Sequence, residues 1–267
     1  DHQTTIHESG AIFTTQGWQP LLGGGDISTV KSTVQLFSDT RKIEYAAWPY
    51  FAFPIETCSH FPWPFFVRGD DVLFGLQNRD FIIKRYPGIS VTIGNLVSRE
   101  GPLSIYQDVR AIIIINLLQN CKLLDLLSFY TRVYLLQLLS YKYATTRAIS
   151  EALKDVLSGP VFYQKNVDNK EIRTKIKPFA DAEKFSNDSE FFRHIRENWV
   201  TKCKLNESWI HKFIRIVTMN GTLFPFLFIK KQTIRQEKLF RANFLQIFGF
   251  KHILYECSLN NTYWLAE

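Results

Sequence analysis

Apolar positions recur in threes and fours from Ser104 to Gly159, "SIYQDVRAIIIINLLQNCKLLDLLSFYTRVYLLQLLSYKYATTRAISEALKDVLSG". That rhythm predicts helix, and its length predicts three helices, closed by Gly159-Pro160. The most apolar part, Ala111 to Leu139, is interrupted by Lys122, Asp125 and Arg132. Its longest uncharged run is too short to span a bilayer, so buried or interfacial helices are expected, with Ile112 to Ile115 as a helix core.

The rest of the chain has shorter rhythms. Residues 1 to about 42 read as loop-rich, and Gly23-Gly24-Gly25 reads as a flexible connection without the spacing of a phosphate-binding loop. "IEYAAWPYFAFPI" (Ile43 to Ile55) is apolar and aromatic and predicts a buried strand. "DDVLFGLQNRDF" (Asp70 to Phe81) predicts a helix with Val72, Leu73 and Leu76 inward and Asp70 or Asp71 as its cap. Tyr86 to Gly94 predicts a turn and a short strand. Residues 160 to 205 are polar enough to read as a linker holding one helix near Glu190 to Trp199. Trp209 to Gln232 predicts strands about an Asn220-Gly221 turn, and Gly249 to Glu267 a hairpin turning at Asn260-Asn261.

Composition narrows the function classes. The 267 residues are 46% hydrophobic and 21% charged, ordinary for a globular protein with a sizeable core. The net charge of +7 favours polyanions, but the densest basic cluster, Lys170 to Lys184, is broken by acids, so no nucleic-acid partner is expected. The cysteines Cys58, Cys121, Cys203 and Cys257 have no metal or disulfide spacing, and the histidines no ligand spacing. A cytoplasmic setting follows from this, and "FPFLFIKK" (Phe224 to Lys231) could rest on an anionic membrane surface at the inner face of the plasma membrane. The chain begins at Asp1, without Met or a signal-peptide pattern.

The chemistry concentrates at "PWPFFVRGDDVLFGLQ" (Pro62 to Gln77). Adjacent carboxylates can cap a helix, hold a divalent cation, or provide a general base with an orienting neighbour. Trp48, Trp63, Phe65 and Phe66 lie nearby in sequence. A partly desolvated Asp has a raised pKa and is a stronger base, and aromatic faces pack on sugar rings.

In order, "IEYAAWPYFAFPIE", "PFFVRGDDVLFGLQ", "PGISVTIG" and "SIYQDVRAIIIINLL" resemble segments of bacterial galactofuranosyltransferases, members of the second glycosyltransferase family. "IHESGAIF" (Ile6 to Phe13) resembles that family's upstream glutamate segment, and "MNGTLFPFLFIKK" a C-terminal one. The resemblance covers roughly residues 5 to 118 and, more weakly, the tail. It implies an α/β chain: the C-terminal part of an A-type glycosyltransferase fold, then a helical segment, then a small β-containing tail. The corresponding divisions are 1–105 for the acceptor and catalytic part, 106–160 for the helices and 161–267 for a mixed α/β region.

By the same resemblance the activity is an inverting transfer of galactofuranose from UDP-galactofuranose to a glycan hydroxyl, in cell-surface polysaccharide synthesis. Asp71 matches the catalytic base and Asp70 its neighbour. Trp48 matches an aromatic acceptor platform and Glu8 an acceptor-binding carboxylate, with Trp63 as a further acceptor contact. The partners implied are a UDP-sugar donor and a glycan or lipid-linked glycan acceptor; the cofactor is a divalent cation, Mn or Mg. The chain departs from the family pattern at Gln77 (Arg in the family), Ile93 (a metal-ligand His) and Ala111 (Asn). The family's Asp-x-Asp metal motif lies upstream of Glu8, and Asp181-Ala-Glu183 is a similar triplet here, set in a polar stretch. The expectation is therefore the C-terminal portion of a longer transferase, or a shortened relative, holding the acceptor side and the base. The alternative is a non-catalytic glycan-binding or accessory subunit derived from such an enzyme.

Overall fold

The computed structural model describes residues 5–49, 51–63, 68–86, 91, 101–184, 209–210, 213, 234–238, 252–257 and 262–266. These residues form a mixture of helices and small sheets. The chain divides into two compact units: residues 1–94, 107–130 and 152–170 make the first, and 95–106, 131–151 and 171–267 the second.

The first unit opens with order where the sequence reading expected loops. Strands β1 (Ala11–Thr14) and β2 (Gly17–Pro20) pair antiparallel, from Ala11 opposite Pro20 to Thr14 opposite Gly17. The two-residue connection works because Gly17 takes a φ of 108°, a left-handed conformation that favours glycine. Helix α1 (Val30–Phe37) follows, its first turn capped by Thr29, whose Oγ1 accepts from the Ser32 N–H at 3.1 Å. Nor is the triple glycine a loose connection. Gly24 donates its N–H to the Ile6 carbonyl at 2.8 Å, and Ile6 donates to the Gly25 carbonyl at 2.9 Å. It is a hydrogen-bonded turn.

Among the described residues from Ile43 to Ile55 the expected strand does not form. Only Tyr45 makes a bridge, to Ala11, and the segment ends in a short 3₁₀ turn at Ile55–Thr57. Pro49 and Pro54 lack the N–H that a ladder needs. The aromatic residues instead gather around Phe74, whose ring centroid lies 5.4 Å from Trp48, 6.3 Å from Phe51, 5.0 Å from Phe53 and 5.9 Å from Phe81.

Helix α2 (Asp70–Gln77) stops four residues short of the expected Phe81. Its inward face is as predicted, with Val72, Leu73 and Leu76 buried, and Phe74 and Gly75 buried beside them. Helix α3 (Pro102–Leu118) is buried on all sides from Ala111 to Asn116, as an all-round apolar run requires. Ala11, Tyr45, Val72, Leu73, Leu76, Ile114 and Ile115 form one core cluster, with Phe13, Trp18, Val156 and Tyr163 packed on it.

Helices α4 (Leu123–Leu139) and α5 (Tyr143–Leu157) complete the expected trio. The polar stretch after Pro160 was expected to be a linker. It is helical instead: α6 (Pro160–Lys165) and α7 (Lys170–Ala182), with Ile172 and Ile176 of α7 buried one turn apart. In the second unit, Lys175 pairs with Glu151 at 2.7 Å. Strands β3 (Ile234–Lys238), β4 (His252–Cys257) and β5 (Thr262–Ala266) form a sheet in which β4 is central, parallel to β3 and antiparallel to β5. The β4–β5 pairing is the hairpin read from the tail, closing at Cys257 opposite Thr262. The expected strand after Tyr86, the helix near Glu190 and the hairpin about Asn220-Gly221 fall largely or wholly outside the described residues, as do Phe65, Phe66 and Ile93. No helix among the described residues is long and apolar enough to cross a membrane.

Candidate functional site

Three segments of the first unit converge at the start of α2. Glu8 precedes β1 and accepts the Ala47 N–H on Oε1 at 3.2 Å. The segment carrying Ala47 lies along β1: Ala11 donates to the Tyr45 carbonyl at 2.9 Å, and Glu44 Oε2 accepts the Phe13 N–H at 2.8 Å. Helix α2 then lies directly on this segment. A Cβ on Gly75 would sit 2.5 Å from the Tyr45 Cβ and 2.7 Å from the Glu44 carbonyl oxygen, so only glycine permits the approach. Asp71 is one helical turn before Gly75 and so lies on the same face, toward Tyr45.

The start of α2 is fixed from its other side by α3. Gly69 has a φ of 91°, and a Cβ there would lie 2.7 Å from the Ala111 Cβ. Ala111, where the resembled family has Asn, is thus the small residue that lets the turn dock. Arg68 Nη1 donates to both carboxylate oxygens of Asp108, at 2.9 and 2.8 Å. This contact gives the Arg68 side chain a structural place.

The expected cap is not an Asp. Gly69 is the N-cap residue and offers no side chain, while Asp70 and Asp71 occupy the first turn of α2. Both carboxylates still face the positive end of the helix dipole. Asp71 Oδ1 accepts the Val72 N–H at 2.8 Å. Burial nevertheless pushes the Asp71 carboxyl up to about 6, against the help of that N–H, and the charges of Asp70 and Glu8 push in the same direction. Burial also raises Glu8, opposed by the Ala47 N–H and by His7. The Tyr45 hydroxyl is held protonated, by burial first and then by the charges of Glu8, Asp71 and Glu44. The arrangement is a set of carboxylates around a buried phenol, with one carboxyl able to exchange a proton near neutrality.

The structure therefore brings together Glu8, Asp70 and Asp71 of the residues singled out from sequence. Trp48 is half-buried and meets Phe74 edge-on, with the ring planes at 72°. Trp63 is 41% exposed, beside the residues outside the described set. Sequence reasoning missed Tyr45 and Gly75. Tyr45 stands three residues before Trp48 inside a segment read as a strand, so its role as the floor of the carboxylate set had no periodic signal. Gly75 lies within the Asp-Asp motif itself, and a glycine inside a helix was the available sign of a close approach.

Among the described residues, no group of three or more His, Cys, Asp and Glu side chains could hold a metal ion. Glu183, from the Asp181-Ala-Glu183 triplet, accepts the Thr145 N–H at 2.9 Å and the Thr145 hydroxyl, closing the first turn of α5. No family model matches the chain, and no curated protein matches it.

Proposed function

We propose that the chain is the acceptor side of an inverting glycosyltransferase of A-type fold, with Asp71 as general base. The reaction is transfer of a sugar, galactofuranose by the sequence resemblance, from a UDP donor to a glycan hydroxyl. The acceptor oxygen gives its proton to the Asp71 carboxylate as it bonds to the anomeric carbon, and the bond from that carbon to the diphosphate breaks. The observation that carries this reading is the setting of Asp71: half-buried at the start of α2, facing Tyr45 and Glu8, and titrating near 6. At neutral pH such a group is mostly ionised and is a stronger base than an ordinary Asp. In this reading Glu8 accepts a hydrogen bond from a second acceptor hydroxyl, and Trp48 offers an aromatic face to the acceptor. The divalent cation implied by the resemblance has no ligand set among the described residues, and the proton step is drawn from Asp71 alone.

The second reading is an accessory glycan-binding subunit that retains the acceptor groove, favoured by Ile93 where the family has a metal-ligand histidine. A transfer assay with UDP-galactofuranose, a divalent metal and a galactoside acceptor separates the two when read by product mass. Wild type transfers, with a rate that rises through about pH 6, and Asp71→Asn does not, while its acceptor binding remains. Acceptor binding without transfer by wild type, across several donors, overturns the catalytic reading and leaves the accessory one.

A further inference from the structure

One stripe of α3 receives the turn that opens α2. Asp108, Ala111 and Ile115 are spaced three and four residues apart, so they lie along one face of the helix. Each meets the Arg68-Gly69 turn. Arg68 Nη1 spans the Asp108 carboxylate, 2.9 Å from Oδ1 and 2.8 Å from Oδ2. A Cβ on Gly69 would lie 2.7 Å from the Ala111 Cβ and 3.5 Å from the Ile115 Cδ1. Ala111 and Ile115 are fully buried, so this end of the stripe is core. The Asp108 end is a part-exposed ion pair.

The two kinds of contact constrain different things. A methyl group against a glycine limits how close the turn can come, but it has no direction. A charge-assisted hydrogen bond is directional and fixes orientation. Asp71 is three residues beyond Arg68, and the Gly69 carbonyl accepts the Leu73 N–H at 2.9 Å. The turn and the first turn of α2 therefore move together. The hydrogen bond from the Val72 N–H to Asp71 lies within that same turn and travels with it. Orientation of the carboxylate toward Glu8 and Tyr45 has to come from outside α2, and the Arg68–Asp108 contact supplies it.

We infer that Arg68 and Asp108 are positioning residues for Asp71, holding the first turn of α2 so that the carboxylate stays in its desolvated place. Neither touches the reacting atoms. The inference rests on the reading of Asp71 as the base for its catalytic consequence alone. The placement of Asp71 is measurable without any transfer, so the two can fail separately.

The test is carboxyl NMR titration of the full chain, comparing wild type with Asp108→Asn and Arg68→Gln. Burial is the main force raising Asp71 to about 6, followed by the charges of Asp70 and Glu8, and Tyr45 and Glu44 are the other titratable groups on the facing segment. The midpoint therefore reports how well the carboxyl is kept from water. Both variants lower it by about one unit. A through-space charge effect would instead move them in opposite directions, because one variant removes a negative charge and the other a positive one. Part-exposed ion pairs add little to stability, so both variants keep the wild-type circular dichroism spectrum and melt close to it. In the transfer assay each loses about tenfold in kcat with KM unchanged, and the acid limb of the rate moves down with the midpoint. Unmoved midpoints, opposite shifts, wild-type kcat in both variants, or loss of folding in both would overturn the inference. If wild type itself transfers no sugar while both midpoints fall, the positioning stands and the reading of Asp71 as the base falls.

Discussion

The two ends of α2 treat their polar groups in opposite ways. At the C-terminal end Asn78 is buried and uses its whole hydrogen-bonding capacity. Its Nδ2 donates to the carbonyls of Phe74 at 2.9 Å and His60 at 3.0 Å, and its Oδ1 accepts the N–H groups of Ser59 at 2.9 Å and His60 at 3.1 Å. That is two donors and two lone pairs, all matched. At the N-terminal end the cap is a glycine, two carboxylates follow it, and one is held near 6 in half-buried surroundings. One end of the helix contributes stability, and the other spends some of it on a charge that packing disfavours. Perturbed carboxylates in such settings are characteristic of functional sites, and the firm end keeps the costly one in position.

The comparison can be broken first at the contact that fixes the helix between its ends. Gly75→Ala places a methyl group against the Tyr45 and Glu44 backbone and costs about 3 kcal/mol in denaturant unfolding. A cost below about 1 kcal/mol means the close approach is dispensable. Asn78→Ala strands the four groups it satisfies and costs about 2 kcal/mol. Because none of these groups titrates, that cost is flat with pH in unfolding experiments; a pH-dependent cost would tie the C-terminal end to the carboxylates.

Asp71→Asn acts with the other sign. The carboxyl titrates near 6 in the folded chain and near 3.9 when unfolded. Between those values the folded protein keeps a proton the unfolded chain has lost. The stabilising contribution is complete below about pH 4 and lost as pH rises through about 6. Removing the charge therefore stabilises by about 2 kcal/mol at pH 8 and not at all at pH 4. Destabilisation at pH 8 would place Asp71 in a relaxed, well-solvated site. The smallest effect sharpens the contrast. Asp70→Asn removes one charge that raises Asp71, so carboxyl NMR titration finds the Asp71 midpoint moved down with little change in stability. An unmoved midpoint would separate the two neighbours electrically.

What was legible in the sequence followed period and length. The α3–α4–α5 run was readable because its apolar spacing persists for many turns, and the tail hairpin because two short β-rich runs flank an Asn-Asn pair in the sequence. The β1–β2 hairpin was missed because its two-residue turn depends on Gly17 alone. Helix α7 was missed because its apolar stripe is only Ile172 and Ile176 among charges, a weak signal until burial is known. The segment from Ile43 to Ile55 was misread because aromatic content marks burial without specifying the backbone. Its two prolines and the ring cluster about Phe74 favour an irregular path over a ladder.

The site divides along the same line. By itself the sequence determined that two carboxylates begin a helix after a glycine, beside abundant aromatic surface, because helix propensity and dipole preference act over neighbouring residues. Only the tertiary structure decided which of the two is desolvated and what surrounds it. Glu8, Tyr45 and Asp71 are far apart in the chain, and their meeting depends on Gly75 and Gly69 letting α2 close onto the Tyr45 segment and α3. Desolvation and through-space charge depend on distance in the folded chain, and that distance is set by packing.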